Sequence, residues 1–213
     1  MTSAKAIVHV IDDDASFLLA VGRLLDAAGY TAQRYASAGE FLLKDDQGRD
    51  PGCGLLDLEM PGPGGAELHE ALNAREMQLP VIFLTGQGDI QASVSAMKRG
   101  AVDFLTKPVE RETLLAAIET ALAQDLRDRG RREKARELVE RYASLSTREQ
   151  EVLRLVVLGR LNKQIAGDLG MAERTVKAHR ANAMAKLKAR SLAELVTIVR
   201  SLDGAAGRQQ QTR

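Results

Sequence analysis

The chain of 213 residues is poor in cysteine and aromatic residues and contains no long apolar run. Its single cysteine, Cys53, has no partner for a disulfide within the chain, which excludes a disulfide-stapled scaffold and fits a reducing compartment. Tryptophan is absent, and three Tyr and four Phe are all the aromatics there are. No stretch has the aromatic strings with which RNA-recognition strands stack bases, so an RNA-reading output lacks support. The apolar run Ile7 to Ile11 is five residues long and broken by His9, too short for a membrane span or a signal peptide. The expected location is the cytoplasm, with no membrane partner. An apolar fraction of 45% is ordinary for a globular protein and excludes disorder or collagen as overall descriptions.

The formal net charge of +1 conceals a division. Residues 1–124 hold 10 Lys/Arg against 18 Asp/Glu, whereas residues 125–213 hold 20 against 11, giving −8 and +9. An acidic half joined to a basic half suggests two domains with different partners, and the basic half makes nucleic acid the first candidate. A solvated imbalance without a binding role is the alternative on charge alone.

In the first half, short apolar runs at 6–11, 31–35, 53–56, 81–84 and 102–105 alternate with helical patterns. Most are nearly continuous in apolar residues, as strands buried on both faces of a parallel sheet are. Phe17, Leu18, Val21, Leu24, Leu25 and Ala28 share one helical face, with Gly29 as a stop. Ala66, Leu68, Ala71 and Leu72 form a shorter one. Five such units predict an open α/β fold with helices on both faces of the sheet.

Polar residues fall at the strand ends. Asp12, Asp13 and Asp14 follow the first strand, Asp57 closes the third, Thr85 follows the fourth, and Lys107 with Pro108 follows the fifth. In an open parallel sheet those carboxyl ends share one edge, where ligands bind. A triple Asp by itself is as readily a solvated turn or helix cap; the joint placement is the informative feature. Carboxylates this close repel unless a cation lies among them, and Mg²⁺ suits one or two carboxylates, waters and a phosphate oxygen. One Asp can then act as a nucleophile toward phosphorus, with Lys107 offsetting charge on the transferred group.

Val10-Ile11-Asp12-Asp13-Asp14, Leu56-Asp57-Leu58-Glu59-Met60-Pro61, Thr85-Gly86 and Phe104-Leu105-Thr106-Lys107-Pro108 resemble the receiver domain of two-component response regulators across residues 5–123. The resemblance implies a flavodoxin-like, doubly wound five-stranded parallel sheet of order 2-1-3-4-5. It implies Asp57 as phosphoacceptor from a cognate sensor histidine kinase. It also implies Mg²⁺ on Asp12, Asp13, Asp57 and the backbone carbonyl of Glu59, with Lys107 and Thr85 on the phosphoryl group. Phe104 is the implied aromatic switch, the Lys107-Pro108 bond is expected to be cis, and Glu59 and Gln87 are expected to influence phosphoryl lifetime. Signalling is expected to remodel residues 89–98 and 102–105 into a homodimer face.

In the second half, residues 125–141 are dense in mixed charge and suit a solvated helical linker or a flexible one. Ser146 and Glu149 form a capping box ahead of an apolar face of Val152, Leu153, Val156 and Val157. A short helix over 162–169, a Gly170-Met171 turn and a helix from Glu173 to about Ala189 read as a helix-turn-helix. Val176, Ala183 and Leu187 suit a core. Arg174, Lys177, Ala178, Ala181, Ala185 and Lys188 suit a basic, small-residue face that can approach base edges. A plain amphipathic helix with a solvated basic face is the alternative reading of that pattern. Ser191 with Glu194 suggests a further capping box, ahead of a helix with more apolar surface than one domain requires; a frayed tail is expected over 205–213.

Leu145-Ser146-Thr147-Arg148-Glu149-Gln150-Glu151-Val152-Leu153, Asn162-Lys163-Gln164-Ile165-Ala166 and Arg174-Thr175-Val176-Lys177-Ala178-His179-Arg180 resemble the LuxR-type DNA-binding domain over residues 144–202. With the receiver, they resemble the NarL/FixJ class, nearest the FixJ branch. The implied arrangement is a receiver at 1–123, a linker at 124–143 and a smaller all-α domain at 144–204. The resemblance implies Lys163, Arg174, Thr175, Lys177, Ala178, His179, Arg180 and Ala181 near double-stranded DNA, with RNA polymerase as a further partner. Ala172 departs from the Ser/Thr cap expected there, at a cost of about 1 kcal/mol. A haloacid-dehalogenase-like phosphatase is the rival reading: Asp12 and Asp14 have its two-residue spacing, but it leaves Asp57 and the basic half without roles.

Overall fold

The computed structural model describes residues 6–44, 50–75, 77–86 and 97–210, with side chains to residue 202. It divides into two compact units, Met1–Arg129 and Gly130–Arg213.

The first unit is built on β1 (Ile7–Ile11), β2 (Thr31–Tyr35), β3 (Gly52–Asp57), β4 (Val81–Thr85) and β5 (Asp103–Thr106). The strands pair in the order β2-β1-β3-β4-β5, and every pairing is parallel. Helices α1 (Ala15–Ala27), α2 (Ala38–Leu42), α3 (Gly65–Ala74) and α4 (Arg111–Ala143) accompany them. Side chains alternate across the sheet and divide the core in two. Val8, Val10, Leu55, Ile82 and Leu84 pack with Leu18, Val21 and Leu25 of α1 and with Leu114, Ile118 and Ala121 of α4. Ile11, Leu56, Val81 and Phe83 face the other way, onto Phe41 of α2 and Leu68 and Leu72 of α3. All residues of β3 and β4 are buried, which is why those segments read as continuous apolar runs.

The register brings the carboxyl ends level: Ile11 lies beside Leu56, Asp57 beside Leu84, and Thr85 beside Thr106. A Cβ at Gly65 would meet the Asp57 carbonyl oxygen, and one at Gly64 would lie 2.6 Å from that of Leu58. Glycine therefore lets α3 start directly against the end of β3.

Helix α4 is one continuous helix of 33 residues, passing through Gly130. Asp125, on this helix, is buried rather than solvated. Its Oδ2 accepts hydrogen bonds from the Gly52 backbone N–H at 2.9 Å and from Arg129 Nε at 2.6 Å. Arg129 Nη2 also donates to the Asp50 carbonyl at 2.5 Å. These bonds tie the helix to the start of β3.

The second unit contains α5 (Thr147–Val157), α6 (Asn162–Leu169), α7 (Glu173–Lys186) and α8 (Leu192–Gln210). Its core gathers Leu145, Val152, Leu153, Val156, Ile165, Val176, Ala183, Leu187, Leu195 and Val199. Ser146 Oγ accepts from the Glu149 N–H, and the Glu149 carboxylate accepts from the Ser146 N–H, so the capping box is formed. Glu149 is buried, and its second partner is Lys186 Nζ at 2.7 Å, which ties α5 to α7. Gly170, left-handed at φ 63°, ends α6 and begins the turn.

Two sequence expectations change. Helix α7 stops at Lys186 rather than near Ala189: Lys188 adopts φ 55°, and Ala189 N–H turns back to the Met184 carbonyl at 2.9 Å. At α8, Ser191 Oγ accepts from Glu194 N–H, but the Glu194 carboxylate reaches past Ser191 to the Arg190 N–H. Helix α8 runs to Gln210. Among the described residues, no helix is long and apolar enough to cross a membrane.

Candidate functional site

Asp12 immediately follows β1 and is fully buried. Its Oδ1 accepts the Asp14 N–H at 3.0 Å, which curls the loop. Asp14 in turn caps α1, accepting from the N–H groups of Ser16 and Phe17 at 2.8 and 3.2 Å. The three consecutive aspartates therefore have different environments. Asp12 and Asp13 join Asp57 in a cluster whose carboxylate oxygens lie within 4.8 Å of one another, while Asp14 is engaged as the cap. Asp14 thus lies outside the three-carboxylate cluster, whereas the phosphatase reading needs it as the second acid.

Asp57, at the end of β3, is 6% exposed. Its Oδ1 accepts from the Glu59 N–H at 3.2 Å, which fixes the direction of the carboxylate. The Glu59 side chain points to solvent. Lys107 lies beyond β5, after which the Lys107-Pro108 peptide is cis. Its Nζ donates to Asp12 Oδ2 at 2.6 Å and Asp57 Oδ2 at 2.9 Å and lies 4.3 Å from the centroid of the Phe17 ring. Burial pushes the Asp12 carboxyl above its ordinary range, against the opposing pull of Lys107 and the Asp14 N–H. Burial alone would lower the Lys107 ammonium, but the hydrogen bonds to Asp12 and Asp57 leave it raised.

Thr85 is fully buried at the end of β4. Phe104 on β5 is half-buried against the cluster that contains Phe83. Gln87 and most of the segment 89–98 lie outside the described residues. Oxygen ligands from Asp12, Asp13 and Asp57 suit a hard divalent ion such as Mg²⁺, and an ion there would relieve their mutual repulsion.

On the second unit, α7 exposes Arg174, Lys177, Ala178, Ala181, Ala185 and Lys188 just beyond its end, and buries Val176 and Ala183. Thr175, His179 and Arg180 are half-buried beside that face, and Lys163 is exposed on α6. Arg180 Nη1 reaches Asn162 Oδ1 at 3.4 Å, joining α7 to α6. Lys177 pairs with Glu173 one turn earlier at 3.0 Å. Ala172 provides no side-chain cap, as its sequence implied.

The sequence reading placed Phe17 only on a packing face and did not anticipate its approach to Lys107. It also missed Asp125 and Arg129, whose i,i+4 spacing was visible although the partner strand was not. In the sequence His9 is only a break in an apolar run. It is buried, with Nδ1 3.1 Å from the Tyr35 hydroxyl, and that hydroxyl donates to Gln33 Oε1 at 2.8 Å.

A sheet of this order with acids, a hydroxyl and a lysine on one edge, in a chain that also carries a helix-turn-helix unit, defines a two-domain signalling regulator. The profile described as the response regulator receiver domain matches residues 8–119, and that of the bacterial regulatory proteins of the luxR family matches residues 143–199. The response regulator protein TodT of Pseudomonas putida is 41% identical over 203 residues, spanning 95% of this chain and 88% of that protein. The transcriptional regulatory protein FixJ of Azorhizobium caulinodans is 46% identical over 192 residues, spanning 89% of each. Among solved structures, the response regulator StyR superposes with a TM-score of 0.82 at 45% identity, covering 93% of this chain and 100% of that one. Full-length FixJ from B. japonicum gives a TM-score of 0.56 at 40% identity, with coverage of 92% and 96%. The chain belongs to the response regulator family and combines a receiver with a LuxR-type DNA-binding domain of the FixJ kind.

Proposed function

We propose that phosphorylation of Asp57 by a cognate sensor histidine kinase switches this chain into a dimer that binds specific DNA sites and regulates transcription in the cytoplasm. The observation that carries the reading is the convergence of Asp12, Asp13, Asp57 and Lys107 at one sheet edge. In this reading 1–123 is the receiver, 124–143 a helical linker and 144–204 the output domain.

An Asp57 carboxylate oxygen attacks phosphorus, the P–N bond to the kinase histidine breaks, and its electron pair returns to the imidazole nitrogen. Asp12, Asp13, Asp57 and the Glu59 carbonyl would hold Mg²⁺, which neutralises phosphoryl oxygens when bound. Lys107 pairs with the transferred group and Thr85 hydrogen-bonds to it. Phe104, adjacent on β5, follows Thr85 as the aromatic switch. The remodelled surface over 89–98 and β5 then pairs two receivers.

Two output domains held together gain effective concentration on a two-fold site. Lys163, Arg174, Thr175, Lys177, Ala178, His179, Arg180 and Ala181 contact the DNA, and the bound dimer engages RNA polymerase. DNA binding and sedimentation, with and without beryllofluoride as phosphoryl mimic, test the switch. Dimerisation and tighter binding in wild type but not in Asp57→Asn are expected. An unchanged monomer, or an equally strong dimer in both conditions, overturns it. Deletion of residues 1–143 is expected to leave a fragment that binds DNA without any donor.

A further inference from the structure

We infer that Phe17 is a positioning residue for phosphoryl transfer: its ring face holds the Lys107 ammonium over the acidic site. The inference rests on the assignment of Lys107 to the transferred phosphoryl group.

The loop that carries the acids also sets the ring. Asp12 accepts the Asp14 N–H, Asp14 caps α1, and one of the two N–H groups it accepts is that of Phe17 itself. The capped first turn fixes the start of Phe17's side chain relative to the carboxylates. The ring is half-buried and lies 4.3 Å, centroid to nitrogen, from Lys107 Nζ, within cation–π range. Together with Lys107 it lines a largely apolar surface cavity of about 520 Å³, bordered also by Ala20, Val21, Leu24, Val109 and Leu114.

Lysine needs such a support. Its flexible stem loses up to about 2 kcal/mol of rotamer freedom when ordered. Of its partners, Asp12 and Asp57 are the groups whose interactions change during the reaction, because Asp57 becomes the acyl phosphate and both are candidate metal ligands. The neutral ring does not titrate, bind metal or accept the phosphoryl group. It is the partner of Lys107 whose charge stays constant throughout. Attraction to a π face depends on ring electrons, so it can be separated from packing.

The test uses the full chain with Phe17→Leu, Phe17→Trp and a series of mono-, di- and trifluorophenylalanine at position 17. Two readouts are followed: the Lys107 ε-methylene chemical shift, assigned by its loss in Lys107→Arg, and the rate of labelling by phosphoramidate with Mg²⁺. In wild type the ring should move the Lys107 resonance upfield, and Phe17→Leu should return it toward that of solvated lysine. Labelling should slow about two- to fivefold in Phe17→Leu, the equivalent of about 0.5–1 kcal/mol. Phe17→Trp should restore it, and the fluorinated series should slow stepwise while thermal stability holds. A packing role predicts no such gradation, because the fluorinated rings keep nearly the same shape. A Lys107 resonance indifferent to residue 17, or fluorinated variants that all label at the wild-type rate, overturns the inference. Failure of wild type to be labelled would instead remove the reading on which it rests, and the shift of Lys107 would still decide whether the ring holds the ammonium.

Discussion

Replacing Asp13 by Asn should change stability in opposite directions with and without Mg²⁺. The carboxylate oxygens of Asp12, Asp13 and Asp57 lie within 4.8 Å of one another. Lys107 pairs with Asp12 at 2.6 Å and Asp57 at 2.9 Å, which leaves the cluster net negative. At that separation, like charges repel by about 0.9 kcal/mol with bulk-water screening and about 3.5 kcal/mol at an effective dielectric of 20. Asp13 is exposed, so each of its two repulsions lies toward the lower figure. Lys107 offsets about one of them, so Asp13→Asn should stabilise the metal-free protein by about 1 kcal/mol, or about 3 °C in the receiver transition. Mg²⁺ should reverse the order. An ion at a hundredfold its Kd stabilises the wild type by about 2.7 kcal/mol, and the variant forfeits most of that. Thermal melts followed by circular dichroism, one set in EDTA and one in millimolar Mg²⁺, make the comparison without needing a tryptophan. A variant no more stable than wild type in EDTA, or one with an undiminished response to Mg²⁺, would refute the electrostatic account of the cluster.

Other perturbations follow from particular contacts. Burial, then the Lys44 charge, pushes the His9 imidazole down from 6.5 to about 4. Its contribution to stability is therefore complete above about pH 6.5 and is lost as pH falls toward 4, by up to about 3 kcal/mol, and His9→Asn should show a shallower acid limb in urea titrations. Hydrogen bonds from Lys186 and then the Ser146 N–H hold the Glu149 carboxyl below its usual range. Glu149→Gln should weaken the second unit at neutral pH and flatten the loss of stability on acidification below the usual carboxylate range, measured on residues 144–213. Gly130 lies inside α4 with open space where a Cβ would go, so Gly130→Ala should stabilise the helix by about 0.5–1 kcal/mol, visible as slower amide exchange around it. Lys177→Ala should reduce DNA affinity and lower the salt slope by about one, whereas Glu173→Ala, by releasing Lys177 from its ion pair, should raise affinity at low salt.

Sequence patterns were most informative where a local signal coincided with burial. Buried Val, Ile and Leu runs located the strands, although pairing on β5 begins at Asp103 rather than Val102, whose own N–H bonds back to Val81. The acids, Thr85 and Lys107 were legible because a parallel sheet places strand ends together. Less legible were contacts set by distant packing. Asp125 looked like one charge among many in a linker, but its partner Gly52 lies 73 residues away. The end of α7 was hidden because Lys188, not glycine, takes the left-handed position. Phe17 fitted an apolar helical face so well that nothing in the pattern pointed to the lysine beyond it.

The central claim is that Asp57 accepts the phosphoryl group. The most direct measurement is to incubate the protein with phosphoramidate and Mg²⁺, trap the acyl phosphate by borohydride reduction and map the product by mass spectrometry. One modification per chain, at Asp57, dependent on Mg²⁺ and absent from Asp57→Asn, is the predicted result. Stoichiometric modification of another residue, or full labelling of Asp57→Asn, would contradict the account.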